Sequence, residues 1–110
     1  MPITEIVILT TAASEEEAIR IGRALVEQQL VACAQVLPRV RSIYRWEGKV
    51  TEDAETLVLL KTRQELFAEV AATIKMMHSY EVPEIIALPV LQGAESYVKW
   101  IHDVTRNPLE

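Results

Sequence analysis

The sequence predicts an α+β fold in which an antiparallel sheet carries two helices on one of its faces. Three observations predict it: a long pair of strands that folds back on itself in mid-chain, an amphipathic helical segment on either side of that pair, and short apolar strands near both ends. The 110 residues are half hydrophobic and a quarter charged, which suits a modest core. We therefore expect residues 1–110 to form a single domain.

The first strand is predicted over residues 4–11, because TEIVILTT is β-branched and almost continuously apolar, as in a central strand covered on both faces. A helix should begin at Glu15. Ser14 can cap its free amides, and Glu17 stands at the capping-box position three residues later. Apolar residues then recur at three- and four-residue steps, so one face of this helix should pack on the sheet.

The longest predicted feature is a β-hairpin over residues 39–62, preceded by a small-residue strand start at residues 31–37. Each arm has about a dozen residues, whereas strands usually have about five or six. Tyr44 and Trp46 lie near the tip, beyond the reach of one subunit's core, and exposed aromatic strands aggregate unless a partner covers them. We therefore expect self-association, in which the hairpin joins a neighbour's sheet.

Two turn geometries are open at the hairpin tip. With Glu47 and Gly48 as the two central turn residues, Arg45 faces Val50, and Glu52 lies diagonally between two arginines, which favours this register. A three-residue loop centred on Gly48, with a bulge, would shift the register by one residue.

The second half of the chain predicts a helix, a short strand and a last helix. Thr62 and Glu65 repeat the capping-box pattern before an apolar stripe that extends to Met77. Pro83 and Pro89 bracket a short apolar strand. The apolar pattern of the last helix consists of Tyr97, Trp100, Ile101 and Val104.

The resulting order is strand, helix, strand, strand, helix, strand and a final helix, which is the split βαβ plan of ferredoxin-like folds. Such a βαββαβ sandwich covers one face of its sheet with helices and leaves the second face bare. Another subunit is the natural cover for the bare face, in agreement with the length of the hairpin.

The composition limits the classes of partner that we expect for this chain. The net charge of −5 argues against nucleic acid, since binding it needs clustered Lys and Arg. No apolar stretch approaches the roughly 18–20 residues of a membrane span, and the start of the chain does not resemble a secretory signal, so we expect a cytoplasmic protein with no membrane partner. The single cysteine, Cys33, excludes an internal disulfide framework.

The sequence contains none of the common catalytic motifs, so we do not expect an enzyme. The sequence has no Gly-rich phosphate loop, no zinc pair of the C-x-x-C type and no nucleophile elbow. Glu52, Asp53 and Glu55 lack the spacing of a calcium loop, and alternate strand residues diverge. We interpret these three carboxylates as a solvated face paired with arginine.

Five segments together resemble the CutA divalent-cation-tolerance family over nearly the whole chain. They are TTAASEEEA, LVACAQVLPRVRSIYRWEGKV, the LLKT end of the hairpin, HSYEVPEIIALPV and SYVKW. The resemblance implies a ferredoxin-like subunit in a homotrimer that exchanges hairpins and C-terminal segments across its interfaces. It also implies a link to tolerance of copper and other divalent cations, with copper bound by some members and no reaction firmly assigned.

The resemblance also implies a ligand set for copper or another divalent cation. It consists of His78, Cys33 and Glu84, which match the family's histidine, its Ala-Cys cysteine and its Pro-Glu glutamate. Thr10 and Met77 stand where some members carry a cysteine and a second histidine, so the ligand set of those members is incomplete here.

Each candidate ligand also has a structural interpretation. Cys33 suits a soft copper ion but, among Val and Ala, also suits a small buried side chain. His78 could ligate a metal or favour the negative end of a helix dipole. Glu84 needs a partner for its carboxylate, and Lys61 is a plausible one. Ser79 replaces the family's usual proline, which predicts a looser exit from the second helix.

The expected site is a small intersubunit pocket, with Glu84 and Lys61 at its floor near His78. Tyr80 belongs to the same predicted pocket or interface, and Tyr44 and Trp46 are interpreted as interface anchors rather than a ligand platform. The predicted function is metal tolerance through weak metal binding at subunit interfaces. The alternative is a trimeric signalling or scaffold protein that binds a small metabolite or a protein, with metal incidental.

Overall fold

The computed structural model describes residues 4–108 and confirms the α+β class and the antiparallel four-stranded sheet. One turn of 3-10 helix, Gln64–Leu66, precedes the second helix. The remaining elements follow the predicted order: β1 Glu5–Ala12, α1 Glu15–Glu27, β2 Cys33–Trp46, β3 Lys49–Arg63, α2 Phe67–Met77, β4 Ile86–Pro89 and α3 Glu95–Val104. None of the helices within residues 4–108 is long and apolar enough to cross a membrane.

The sheet has the strand order β2-β3-β1-β4, and each neighbouring pair is antiparallel. β1 is therefore an inner strand, as its apolar sequence predicts. Ile6 and Ile8 of β1 are buried together with Val58 and Leu60 of β3, on the face that α1 and α2 cover. The helices complete this core with Ala18, Ile21, Leu25, Val70 and Ile74.

The hairpin adopts the first of the two predicted turn geometries. Glu47 and Gly48 have φ angles of 50° and 78°, and a type I′ turn requires positive φ at both central residues. Arg45 pairs with Val50, and Arg41 lies 3.9 Å from the carboxylate of Glu52, as expected from that register. The turn matches the right-handed twist of the strands, and the arms of 14 and 15 residues pair with one irregularity, a register shift between Leu37 and Val40.

The start of α1 follows the sequence pattern in part. Ser14 Oγ accepts a hydrogen bond from the Glu17 amide at 3.1 Å, as an N-cap does. The Glu17 carboxylate, however, accepts from the amide of Ala13 rather than from that of Ser14. Further along, Gly22 lies so close to β2 that a Cβ there would be 3.0 Å from the Cβ of Ala34. This close approach explains a glycine in mid-helix.

The predicted capping role of Thr62 is wrong. Thr62 lies within β3, its side chain is buried, and its hydroxyl donates to the carbonyl oxygen of Leu30 at 2.6 Å. β3 extends one residue further, and the 3-10 turn then provides the change of direction into α2. The hydroxyl instead satisfies a carbonyl in the segment between α1 and β2, a long-range contact that a local capping pattern does not contain.

The face of the sheet opposite α1 and α2 is largely uncovered. It carries Leu9, Leu57 and Leu59, which are half-buried, and Ile86 and Leu88 of β4, which are 51% and 49% exposed. α3 contacts one end of β3, where Arg63 donates to the hydroxyl of Thr105 at 2.9 Å. The predicted bare face is thus present in the single subunit.

Candidate functional site

A surface cavity of about 660 Å³ lies beside the hairpin, on the side of the segment that follows α2. Its volume falls in the range of small-molecule sites, roughly 300–1,000 Å³. Its walls come from β1, from both arms of the hairpin and from residues 80–84. The lining residues are Thr11, Ser42, Ile43, Tyr44, Trp46, Asp53, Glu55, Tyr80, Glu81, Val82 and Glu84.

The register of the hairpin places the polar and aromatic groups of this cavity together. Ser42, Tyr44 and Trp46 alternate along β2 and therefore share one face. Ser42 pairs with Asp53 across the hairpin, so Asp53 lies on that face as well, and Glu55 follows it two residues later on β3. Period-two alternation on two paired strands thus brings two carboxylates next to two aromatic rings.

Two tyrosine hydroxyls donate hydrogen bonds to two of the carboxylates of β3. Tyr44 donates to Asp53, and Tyr80 donates to Glu55 with an oxygen–oxygen distance of 2.8 Å. The hydrogen bond to Asp53 raises the pKa of Tyr44. Burial, and then the hydrogen bond to Glu55, raise the pKa of Tyr80 well above its ordinary value. Both phenols therefore stay protonated and continue to donate at neutral pH.

All the charged residues that line the cavity are acidic. Asp53, Glu55, Glu81 and Glu84 are four carboxylates among its lining residues, and that lining contains no Lys, Arg or His. Each of the two tyrosines engages one oxygen of its carboxylate, so acceptor capacity remains for a ligand. Chemically, the cavity can attract and hold a cation.

His78 lies behind the cavity, in contact with two of its residues. Its side chain is fully buried, Nε2 is 2.6 Å from the carbonyl oxygen of Thr11, and Nδ1 accepts from the amide of Tyr80 at 3.0 Å. A carbonyl only accepts and an amide N–H only donates, so the imidazole is the neutral tautomer with its proton on Nε2. Both nitrogens are engaged, and a metal ion would have to displace one of these bonds.

Ser79 forms hydrogen bonds that hold the chain where it leaves α2, whereas its replacement of proline predicted a looser segment there. Its amide donates to Glu17 at 2.7 Å, and its hydroxyl donates to the same carboxylate at 3.0 Å. Burial raises the pKa of Glu17, but the hydrogen bonds from Ser79 and Ala13 outweigh burial and leave that pKa below its ordinary value. A proline at position 79 would have no amide to donate.

Cys33 and Lys61 lie elsewhere on the sheet. They are cross-strand partners, Cys33 is half-buried, and Lys61 donates to Gln35. Along β3, Lys61 is four residues from Leu57, which pairs with Thr11 at the cavity; this is about 13 Å at the usual strand rise. The predicted pair between Glu84 and Lys61 is therefore not formed.

The structure thus groups the candidate residues differently from the sequence. Glu84 is exposed on the cavity wall, outside β4, and shares that cavity with Tyr44, Trp46 and Tyr80. Cys33 is remote from it, and His78 faces inward. Within residues 4–108, no three His, Cys, Asp or Glu side chains converge as a metal site would require. A site that used His78, Cys33 and Glu84 together would need ligands from more than one subunit.

Sequence reasoning missed Asp53 and Glu55, which it assigned to a solvated face with Glu52. Asp53 is solvent-exposed, as predicted, but only Glu52 lies beside an arginine, Arg41, on the opposite face of the hairpin. The register already contained the signal, because a two-residue turn pairs Asp53 with Ser42 and so places it on the face of Tyr44.

Comparisons with known proteins identify the family. The family model described as "CutA1 divalent ion tolerance protein" matches residues 6–104. The "Divalent-cation tolerance protein CutA" of Thermus thermophilus is 46% identical over 101 residues, which cover 92% of this chain and 98% of the relative. "Protein CutA" of Mus musculus is 43% identical over 97 residues, which cover 88% of this chain and 55% of the mouse protein.

Solved structures agree in fold. The divalent cation tolerance protein (Cut A1) of Thermus thermophilus superposes with a TM-score of 0.91 at 45% identity, covering 93% of this chain and 99% of that one. CutA1 from the psychrotrophic bacterium Shewanella sp. SIB1 gives a TM-score of 0.93 at 34% identity, covering 97% and 100%. From the family model, the relatives and these structures, the chain belongs to the CutA1 divalent ion tolerance family.

Proposed function

We propose that this chain is a divalent-cation tolerance protein that acts as a homotrimer and binds copper or another divalent cation weakly at its subunit interfaces. Family membership over residues 6–104 supports the first part. The observation that supports the cation is the cavity with four carboxylates and no basic residue in its lining. The family's description names tolerance of an ion and no reaction, which agrees with the lack of a catalytic pattern in the sequence.

Self-association is supported by the uncovered face of the sheet. Ile86 and Leu88 lie on β4, an edge strand, and together with Trp46 they leave large apolar groups in contact with water. Exposed edges and apolar patches of this kind mark interfaces. The strand order β2-β3-β1-β4 with two helices on one face supports the ferredoxin-like topology, whose second face a neighbouring subunit would cover.

The chemistry of the donors determines which cation each part of the site would hold. Glu84, with Glu55 and Asp53, offers carboxylate oxygens, which suit hard divalent ions. Cys33 offers the soft donor that copper prefers, but in one subunit it lies far from Glu84. An interface that joins Cys33 of one subunit to carboxylates of another would provide both soft and hard donor atoms. His78 would enter only by giving up a hydrogen bond, which is consistent with weak binding.

The test is a calorimetric titration of the metal-free trimer with copper and, separately, with manganese. We expect saturable binding at a fixed ratio per trimer, which Glu84→Gln weakens for manganese and Cys33→Ser weakens for copper. Glu95→Gln, an exposed carboxylate of α3 outside the cavity, is the matched control. Absence of binding, or equal binding by all variants, would contradict the metal function.

The cavity also favours the second candidate function, a signalling or scaffold trimer that binds a small metabolite. Its volume of about 660 Å³ is far larger than a single metal ion needs, and aromatic rings form part of its walls. Native mass spectrometry of the purified trimer should then detect a small molecule that survives purification. Loss of that mass in a variant with the cavity blocked, such as Ser42→Trp, would assign the molecule to this cavity.

A further inference from the structure

The last helix, α3, is attached to its own subunit by few contacts. Of its ten residues only Ile101 is buried. The polar contacts lie at its C-terminal end, where His102 bonds to Glu5 of β1 and the hydroxyl of Thr105 accepts from Arg63 of β3. Isolated helices shorter than about 12–15 residues are marginal in water. The helical structure of α3 therefore depends on these contacts with the end of the sheet.

The carboxylate of Glu5 is the centre of this attachment. Glu5 is buried, and its Oε2 accepts hydrogen bonds from the hydroxyl of Thr4 and from Nε2 of His102. Its cross-strand partner is Arg63, and side chains that are directly opposite in an antiparallel pair have Cβ atoms about 4.5–5.5 Å apart. A buried carboxylate is costly unless it is paired. The pairing of Glu5 thus requires that α3 is in place.

The surrounding charges give Glu5 a position between two basic groups. Arg63 faces it from β3 and is itself bonded to Glu65 at the start of the helical turn. β4, with the sequence IALP, contributes no ionisable side chain. On α3, Lys99 and Asp103 bond to each other at 2.7 Å on the surface. Loss of the negative charge of Glu5 would therefore leave the imidazole of α3 facing a guanidinium group.

The pKa of Glu5 determines the direction of the effect. Burial raises this pKa, but the hydrogen bonds from Thr4 and His102, with the charge of His102, outweigh burial and leave it below the ordinary value of 4.5. The stability that Glu5 contributes is therefore complete above about pH 4.5 and is lost as the pH falls through the lower folded pKa. An imidazole is cationic in that range of pH, and water is then a better environment for it than a neutral carboxyl group.

We propose that the pair formed by Glu5 and His102 is an acid-sensitive latch for α3. While the carboxylate is charged, α3 stays docked on the end of the sheet. When the carboxylate is protonated, α3 separates from the sheet while the core between the sheet and α1 and α2, on the opposite face, stays folded. Both partners of the latch belong to one chain, so the latch does not need a residue of a neighbouring subunit. It also depends on neither metal nor small-molecule binding.

The experiment measures hydrogen exchange by mass spectrometry in the assembled protein at a fixed subunit concentration. Exchange rates are expressed as protection factors, which correct for the pH dependence of the chemical step. Between pH 6 and about pH 3.5, the protection of residues 95–104 relative to that of β3 should fall about tenfold, the difference expected between a charge-assisted and a neutral hydrogen bond.

Variants assign this change to the latch. His102→Gln is neutral at every pH, and the His102 side chain is 40% exposed, so the variant should fold. We expect it to lower the relative protection of α3 about tenfold at pH 6 and to remove most of the pH dependence. Glu5→Gln should do the same. Asp103→Asn is the matched control, because it removes a carboxylate from the neighbouring position of α3 that bonds to Lys99 instead.

Three results would overturn the proposal. The first is a pH dependence in His102→Gln and Glu5→Gln that equals that of the parent protein. The second is a parallel loss of protection in α3 and β3, because the whole subunit then opens and no local latch exists. The third is an effect of Asp103→Asn as large as that of Glu5→Gln, which would assign the change to the overall charge of α3.

Discussion

Glu17 should contribute more to stability than any other carboxylate in the first turn of α1. Its carboxylate is buried and accepts three hydrogen bonds, from the amide and hydroxyl of Ser79 and from the amide of Ala13. Each charge-assisted bond is worth about 1.5–3 kcal/mol, but Ser79 and Ala13 are exposed and regain water when the acceptor is removed. We therefore expect Glu17→Ala to lower the free energy of unfolding by about 2–4 kcal/mol in total.

The matched control is Glu16→Ala. Glu16 is exposed, lies in the same helical turn and experiences the same helix dipole, so its loss should cost about 0.3–1 kcal/mol. Urea unfolding at a fixed subunit concentration measures both variants. If the two variants lose the same stability, the hydrogen bonds of Glu17 contribute nothing beyond the dipole, and the argument is refuted.

The stability that Glu17 provides should depend on pH. Its pKa in the folded protein lies below the ordinary value of 4.5, so the unfolded chain binds the proton more readily. The contribution is therefore complete above about pH 4.5 and is lost as the pH falls through the lower folded pKa. Glu17→Gln cannot titrate, so its unfolding midpoint should fall less between pH 6 and pH 3 than that of the parent protein. An equal fall in both would contradict the sign of the shift.

Three further predictions concern the hairpin, the core and the open face. Gly48→Val should destabilise the protein by about 1–2 kcal/mol in urea unfolding, because a φ of 78° is unfavourable for a β-branched residue; an unchanged midpoint would mean that the tip has rearranged. Thr62→Val leaves the carbonyl of Leu30 without its donor and should cost about 1–3 kcal/mol by the same measurement, with no loss expected if water enters the site. Leu88→Asp should convert the proposed trimer to monomers in sedimentation velocity at micromolar concentration, and a trimer that persists in the variant would exclude β4 from the interface.

Local pattern was sufficient for most of the fold. The period of two predicted the hairpin, and the position of Glu52 between two arginines favoured the register that the structure has, although the sequence alone left a three-residue loop open. The Ser14 cap and the apolar stripe similarly determined where α1 begins and which face it buries. Thr62 was misassigned because its hydroxyl bonds to a carbonyl 32 residues away, and no local window contains that partner.

The site was predicted less well than the fold because its side chains, like that of Thr62, are positioned by partners that are distant in the sequence. Tyr44, Trp46, Tyr80 and Glu84 were named from the sequence and do line one cavity. Asp53 is exposed as predicted, but it bonds to Tyr44 rather than to an arginine, because its pairing with Ser42 across the hairpin was left out of the interpretation. The assignment of His78, Cys33 and Glu84 as one ligand set came from resemblance and remains a prediction that only the assembled protein can test.

Three consecutive residues after α2 connect the helix layer to the cavity. His78 bonds to the carbonyl of Thr11 in β1, Ser79 bonds to Glu17 in α1, and Tyr80 bonds to Glu55 in β3. The backbone amide of Tyr80 is therefore bonded to His78, and its phenol hydroxyl is bonded to the hairpin. Because the position of this aromatic wall depends on buried groups outside the cavity, substitutions near position 79 should move the ring of Tyr80 without changing a lining residue other than Tyr80 itself.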